Sequence, residues 1–220
     1  MFRYCLIVAA ALPLAGCAAS STSNHINPPS LEIENEATLN KPFDEVWDGM
    51  IANLAKSFFV INNVDKTSRI INVSFSADQP GDLIDCGTTT RTYKRGAVSE
   101  NYSYKTTDPA SYLISTPNGM SAAIQRTTSL EGRANIYVAP KDQKTNISVN
   151  ARYVFTVNGT VTPLNEYGQP VGYPSTQPPF SRSFETKEPG KFTDPDGMSW
   201  SCQTNGTLER KILEAAGVKP

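Results

Sequence analysis

An α+β domain, an antiparallel β-sheet packed against an N-terminal amphipathic helix and a short C-terminal helix, is the fold class this sequence predicts. Three observations carry it. Two consecutive runs, Ser121 to Val138 and Thr145 to Val157, alternate apolar and polar residues. Apolar residues recur at helical spacing from Phe43 to Leu54, and a second helical pattern runs from Thr207 to Ala216. A sheet with one wet face and two amphipathic helices each need an apolar partner surface, and packing them on each other supplies it.

The elements follow in chain order. Residues 1–16 form a leader: one positive charge at Arg3, an apolar run from Tyr4 to Leu12, then small residues. That run is short of the roughly 20 apolar residues that cross a bilayer as a helix, and it reads as a signal peptide. It ends in Leu14-Ala15-Gly16-Cys17, which resembles the lipobox of bacterial lipoproteins. The resemblance implies cleavage before Cys17, acylation of its thiol and new amine, and anchoring by several chains at about 0.8 kcal/mol per buried methylene. Ala18 stands where that family reads Asp as an inner-membrane retention signal, so the implied address is the outer membrane.

Residues 17–30 have almost no apolar content after the cysteine and read as a flexible tether. The single domain predicted over 31–217 opens with a short strand from Leu31 to Leu39. In the helix that follows, Pro42 suits the first turn and Asp44 and Glu45 suit the positive end of the dipole. Phe43, Val46, Trp47, Met50, Ile51 and Leu54 make its apolar stripe, with Trp47 as core. Phe58 to Asn62 and Ile70 to Ala77 read as strands around the polar turn Val64-Asp65-Lys66-Thr67-Ser68, and residues 87 to 115 as shorter strands. In the long pair, Ile124, Thr128, Leu130, Ala134, Ile136 and Val138 share one face; Ile147, Val149, Ala151, Tyr153, Phe155 and Val157 share the matching face. Seven prolines between Asn158 and Trp200 predict a long irregular excursion at 158–200 with at most short strands, such as Phe180 to Phe184. Within it, Tyr167, Tyr173 and Phe180 are a candidate interaction loop. Thr207 suits an N-cap for the last helix, and Gly217 ends it.

Of the four cysteines, Cys5 leaves with the leader and Cys17 would carry lipid, so Cys86 and Cys202 remain. An oxidising compartment makes that pair a disulfide. No thiolate-stabilising histidine or C-x-x-C spacing points to redox chemistry, and two cysteines do not complete a zinc site. Removing the leader takes Arg3 from 20 basic residues, leaving 19 against 21 acidic ones. No basic footprint for nucleic acid results.

His25, the one histidine, falls in the expected tether, which argues against Ser-His and Cys-His nucleophile systems. No catalytic motif is present, and no cofactor or metal is expected. Asp82 with Asp85, and Asp194 with Asp196, offer paired carboxylates beside turn residues and read as solvated turns. Arg91-Thr92-Tyr93-Lys94-Arg95 is a basic and aromatic cluster that reads as an exposed hairpin end.

Phe43-Asp44-Glu45-Val46-Trp47, Phe58-Phe59-Val60-Ile61 and Asp65-Lys66-Thr67-Ser68-Arg69-Ile70-Ile71-Asn72-Val73 together resemble the opening of helix-grip domains in outer-membrane lipoproteins, such as the C subunit of the β-barrel assembly machine. Ser68 stands where that pattern has a turn glycine. The resemblance implies a domain that binds partner proteins without catalysis. The expected function is therefore a membrane-anchored, non-catalytic interaction or accessory module of an envelope assembly, with an envelope protein as partner. The alternative is a carrier holding a lipid or other apolar ligand between helix and sheet; a carboxylate hydrolase is a third reading.

Overall fold

Alternation sustained over two successive strands of 21 residues each organises the molecule. The computed structural model describes residues 18–193 and 197–219. In chain order they form β1 (Ser20–Ile26), β2 (Glu36–Leu39), α1 (Phe43–Leu54), β3 (Val60–Asp65), β4 (Ile70–Ala77), β5 (Ile84–Asp85), β6 (Thr88–Arg95), β7 (Val98–Lys105) and β8 (Ala110–Ser115). Then come β9 (Ser121–Lys141), β10 (Lys144–Leu164), β11 (Ser175–Thr176), β12 (Phe180–Glu185), β13 (Gly190–Thr193), β14 (Ser199–Thr204) and α2 (Thr207–Ala215).

β9 and β10 pair without a break from Lys141–Lys144 to Ser121–Leu164. A ladder this long leaves two long outer edges, and short strands cover each in succession, satisfying backbone groups that would otherwise invite other chains. β4 and then β8 pair with β9; β2, β12 and β11 pair with β10. With β3 on β4, this is an eight-stranded sheet. β1, β6 and β7 form a second sheet, and β13, β14 and β5 a third.

The α+β expectation is overturned. Strand accounts for 56 % and helix for 12 %, in three sheets with two helices, so the fold is β-rich. Both helices form where the apolar spacing placed them, but they cover only one end of the ladder. There Val46, Trp47, Met50 and Leu54 of α1 and Leu208, Ile212 and Leu213 of α2 bury against Ile136, Val138, Ile147 and Val149. The rest of the ladder is covered by strands, among them ones from stretches whose sequence pattern shows no apolar face. Two corrections have that same cause. Ser20–Ile26 lies in the stretch expected to be a tether, yet it pairs along β6 from Ser20–Lys94 to Ile26–Thr88. The excursion at 158–200 holds the last third of β10, β11, β13 and the start of β14, besides β12 where a short strand was expected. In both cases an open neighbouring edge satisfies the backbone of residues whose own side chains show no apolar face.

Details of the turns follow the same logic. Asp65 accepts from the Ser68 amide and hydroxyl, so the position of positive φ falls on Arg69 rather than on Ser68. Gly206, at φ 79°, takes the N-cap position expected of Thr207, and Asn205 Oδ1 accepts from the Thr207 amide.

Three tertiary ties hold the helix end. Glu209 of α2 is fully buried; the hydroxyls of Tyr153 and Thr186 donate to its Oε1, and that of Thr204 donates to its Oε2, at 2.8–2.9 Å. Burial first, and then the Glu209 charge, raise the Tyr153 pKa, so its proton stays available to this network. Cys86 and Cys202 form a disulfide beside the β5–β14 pairing. Finally, Phe75, Gly132, Tyr153 and Phe184 form one row across β4, β9, β10 and β12. A methyl group on Gly132 would meet the Arg152 carbonyl and the Phe75 ring. The bare glycine lets Phe75 lie over the backbone and meet Tyr153 edge-on at 5.5 Å, with Tyr153 stacked on Phe184 at 5.2 Å.

Two outcomes are expected. The sequence separation of 116 residues across the disulfide implies that Cys86→Ser with Cys202→Ser lowers unfolding free energy by about 4–5 kcal/mol in the chain-entropy model. Urea denaturation with and without reductant checks it. Gly132→Ala overpacks a filled row and lowers stability by about 1–3 kcal/mol, read from the denaturation midpoint at unchanged slope.

Candidate functional site

Beyond the region covered by the helices, the apolar face of the ladder is only partly roofed, and a cleft of about 710 Å³ remains there. Its floor is Ile124 and Arg126 of β9 with Val157 and Val161 of β10; Tyr112 and Ile114 of β8 continue it. Thr89 and Arg91 of β6 and Tyr104 of β7 make one wall, and Pro178, Pro179, Phe180, Met198 and Trp200 make the other. This size and this mix of apolar walls with few polar groups are those of a small-molecule site.

Two arginines set the electrostatics. Arg126 has the parity of Ile124, Thr128 and Leu130, so the pleat aims it inward, and it is 8 % exposed. Its guanidinium donates to the carbonyls of Thr106 and Asp108 and lies 5.5 Å from the Tyr104 ring centroid. Burial lowers its pKa, an effect that the nearby Tyr104, Tyr112 and Asp108 oppose. Arg91 lies 4.5 Å over the Tyr112 ring, and its Nε donates to the Tyr104 hydroxyl at 3.0 Å. Tyr104 and Tyr112 stack at 5.7 Å. Burial pushes the Tyr112 pKa up to about 12, so the phenol is neutral at ordinary pH. Among the described residues that line the cleft there is no aspartate or glutamate. Its polar end carries the Arg91 and Arg126 guanidinium groups, and its walls are apolar.

At the opposite end sits an aromatic cluster. Trp200 meets Phe155, Phe180 and Phe192 at 5.0–6.0 Å between centroids. His25 of β1 lies 6.5 Å from Trp200. Its Nδ1 is 3.2 Å from Thr89 Oγ1, which is itself 2.8 Å from Thr106 Oγ1. His25 thus belongs to the fold rather than to a tether, and the argument that set it aside as remote from the domain fails. Its Nε2 is buried without a hydrogen-bond partner among the described residues.

The candidate residues from the sequence scatter. Of the proposed loop, Phe180 lines the cleft with Arg182 4.0 Å over its ring, while Tyr167 and Tyr173 are 80 % and 93 % exposed on separate turns. The basic cluster is not an exposed hairpin end alone: alternation turns Arg91, Tyr93 and Arg95 inward, and Tyr93 is buried. Asp85 accepts from the Gly87 amide, and Asp82 closes the turn before β5. Cys17, Asp194 and Asp196 lie outside the described residues. Among the described residues no three His, Cys, Asp or Glu side chains gather to hold a metal. Arg126, Tyr104, Tyr112 and Trp200 are the site residues that the sequence reading missed. For Arg126 the signal was available, as the one charge with the parity of the apolar face.

No protein-family model, curated protein or solved structure matches the chain.

Burial lowers the His25 pKa below 6.5, with the Asn27 side chain offsetting part of the effect. The unfolded chain then takes up a proton that the folded one resists. Stability is present above pH 6.5 and declines as pH falls from there toward the folded pKa. Unfolding midpoints measured across that interval should fall more steeply for the native chain than for His25→Asn.

Proposed function

We propose that this protein is a non-catalytic binding module of the bacterial envelope, anchored in the outer membrane through acyl chains on Cys17, and that its cleft takes an anionic amphiphile. The observation that carries the ligand class is the pairing of apolar walls with Arg126, a buried guanidinium on the cleft floor that donates to neutral carbonyls. An acidic headgroup beside Arg126 gains a charge-assisted contact in a partly desolvated site, and a hydrocarbon tail covers Tyr112, Ile124 and Trp200.

This moves the carrier idea away from the gap between helix and sheet. Trp47, Met50 and Leu54 are 0–3 % exposed there, which leaves no room for a ligand. The leader and lipobox support the anchoring, and no helix among the described residues is long and apolar enough to cross a membrane. The accessory role in an envelope assembly then consists in holding or presenting such a ligand.

Titration of the purified protein with dodecanoate should change the fluorescence of Trp200 saturably, with neutral dodecanol binding more weakly. Arg126→Gln should weaken dodecanoate binding by about tenfold, the loss of one charge-assisted contact of about 1.5 kcal/mol, and leave dodecanol binding unchanged. No saturable change, or equal affinity for acid and alcohol, overturns the ligand class. Envelope proteins co-purifying with an empty cleft would favour a protein partner instead.

A further inference from the structure

The polar stretch after Cys17 is not a spacer, and that bears on how the molecule meets the bilayer. The Ala19 amide donates to the Gly119 carbonyl at 3.1 Å, and the Ser115 hydroxyl donates to the Ala19 carbonyl at 2.7 Å. Ala18 packs over Gly119, and Ala19 is 7 % exposed. Ala18 is the residue that directly follows Cys17 in the sequence. Three turns surround this point. The β8–β9 turn carries Met120 and the β6–β7 turn carries Val98. The turn after β10 carries Tyr167, and Arg95 ties it in through the Asn165 carbonyl and the Ser121 hydroxyl. Met120, Val98 and Tyr167 are 54 %, 51 % and 80 % exposed. Lys94, which pairs with Ser20, is also exposed there, as is Glu166.

We propose that this end of the molecule rests directly on the lipid bilayer, with Val98, Met120 and Tyr167 set into the headgroup region and no linker between. The proposal rests on the reading of Cys17 as acylated. Apolar and aromatic side chains beside a lipid attachment point add interfacial burial to the hold of the acyl chains, and an adjacent lysine favours anionic lipid. The β9–β10 ladder then projects from the membrane by up to about 65 Å at roughly 3.3 Å per residue, holding the helices and the turn at Asp142 away from it. Thr116 and Pro117, in the β8–β9 turn, also line the cleft, so one end of the cleft opens at the seated face.

The test uses the full acylated protein in vesicles of phosphatidylethanolamine and phosphatidylglycerol. Single variants Val98→Cys, Met120→Cys, Tyr167→Cys and Asp142→Cys each carry an environment-sensitive fluorophore. The first three should shift to the blue and lose most of their emission to spin-labelled lipid, while the label at position 142 should behave as in water. A linker of about ten Gly and Ser residues between Ala18 and Ala19, with a reach of about 17 Å, should abolish that quenching without releasing the protein. Acylated, vesicle-bound protein whose turn labels stay aqueous, or whose quenching survives the linker, overturns the seating alone. An intact mass without acyl chains overturns the anchoring itself.

Discussion

The uninterrupted pairing of β9 with β10 is the constraint on which the remaining structure depends. Twenty-one register pairs lay one continuous apolar face along the molecule, from Ala122 at one end to Val138 at the other. At about 25 cal/mol per Å² of apolar area, leaving such a face wet would cost more than a domain's whole stability, so the two helices and the two smaller sheets pack over it. The face is too long for two short helices, and this is why an apparently α+β pattern resolves into a β-rich fold.

How the face is covered also makes the site. Under the helices, large apolar side chains interdigitate and the core closes, with Glu209 held by three hydroxyls where α2 crosses β10 and β14. Farther along, the covering elements are β6 and β7, whose inward residues are Thr89, Arg91, Tyr93 and Tyr104, together with a proline-rich segment that cannot pair continuously. Such residues roof the ladder incompletely. The same polar strands therefore leave an apolar cleft with two guanidinium groups in it.

Legibility divided along physical lines. The helix from Phe43 to Leu54, the strand Ile70–Ala77, the long pair and the Cys86–Cys202 bond were all readable, because each announces itself through period, length or chemical exclusion. β1 was not, since Ser20–Ile26 has no period of its own and exists because the β6 edge is open beside it. Phe180, singled out for its aromatic character, lines the cleft, while its supposed companions Tyr167 and Tyr173 stand exposed on separate turns, because a loop's side chains acquire a common surface only from the fold beneath them. Arg126 was overlooked through attention to the apolar members of its face, although strand parity marked it.

By itself the sequence determined the local elements whose side chains carry their own periodicity, the identity of the cysteine pair, and the lipobox-like motif at Leu14 to Cys17. Tertiary structure alone decided that the polar residues after that motif are a strand, that His25 is half-buried near Trp200, and that the cleft lies between sheets rather than under a helix. The reason is that side-chain patterns encode which face is buried, whereas edge pairing is made by backbone groups that every residue carries alike. Only the folded ladder shows which edges stand open.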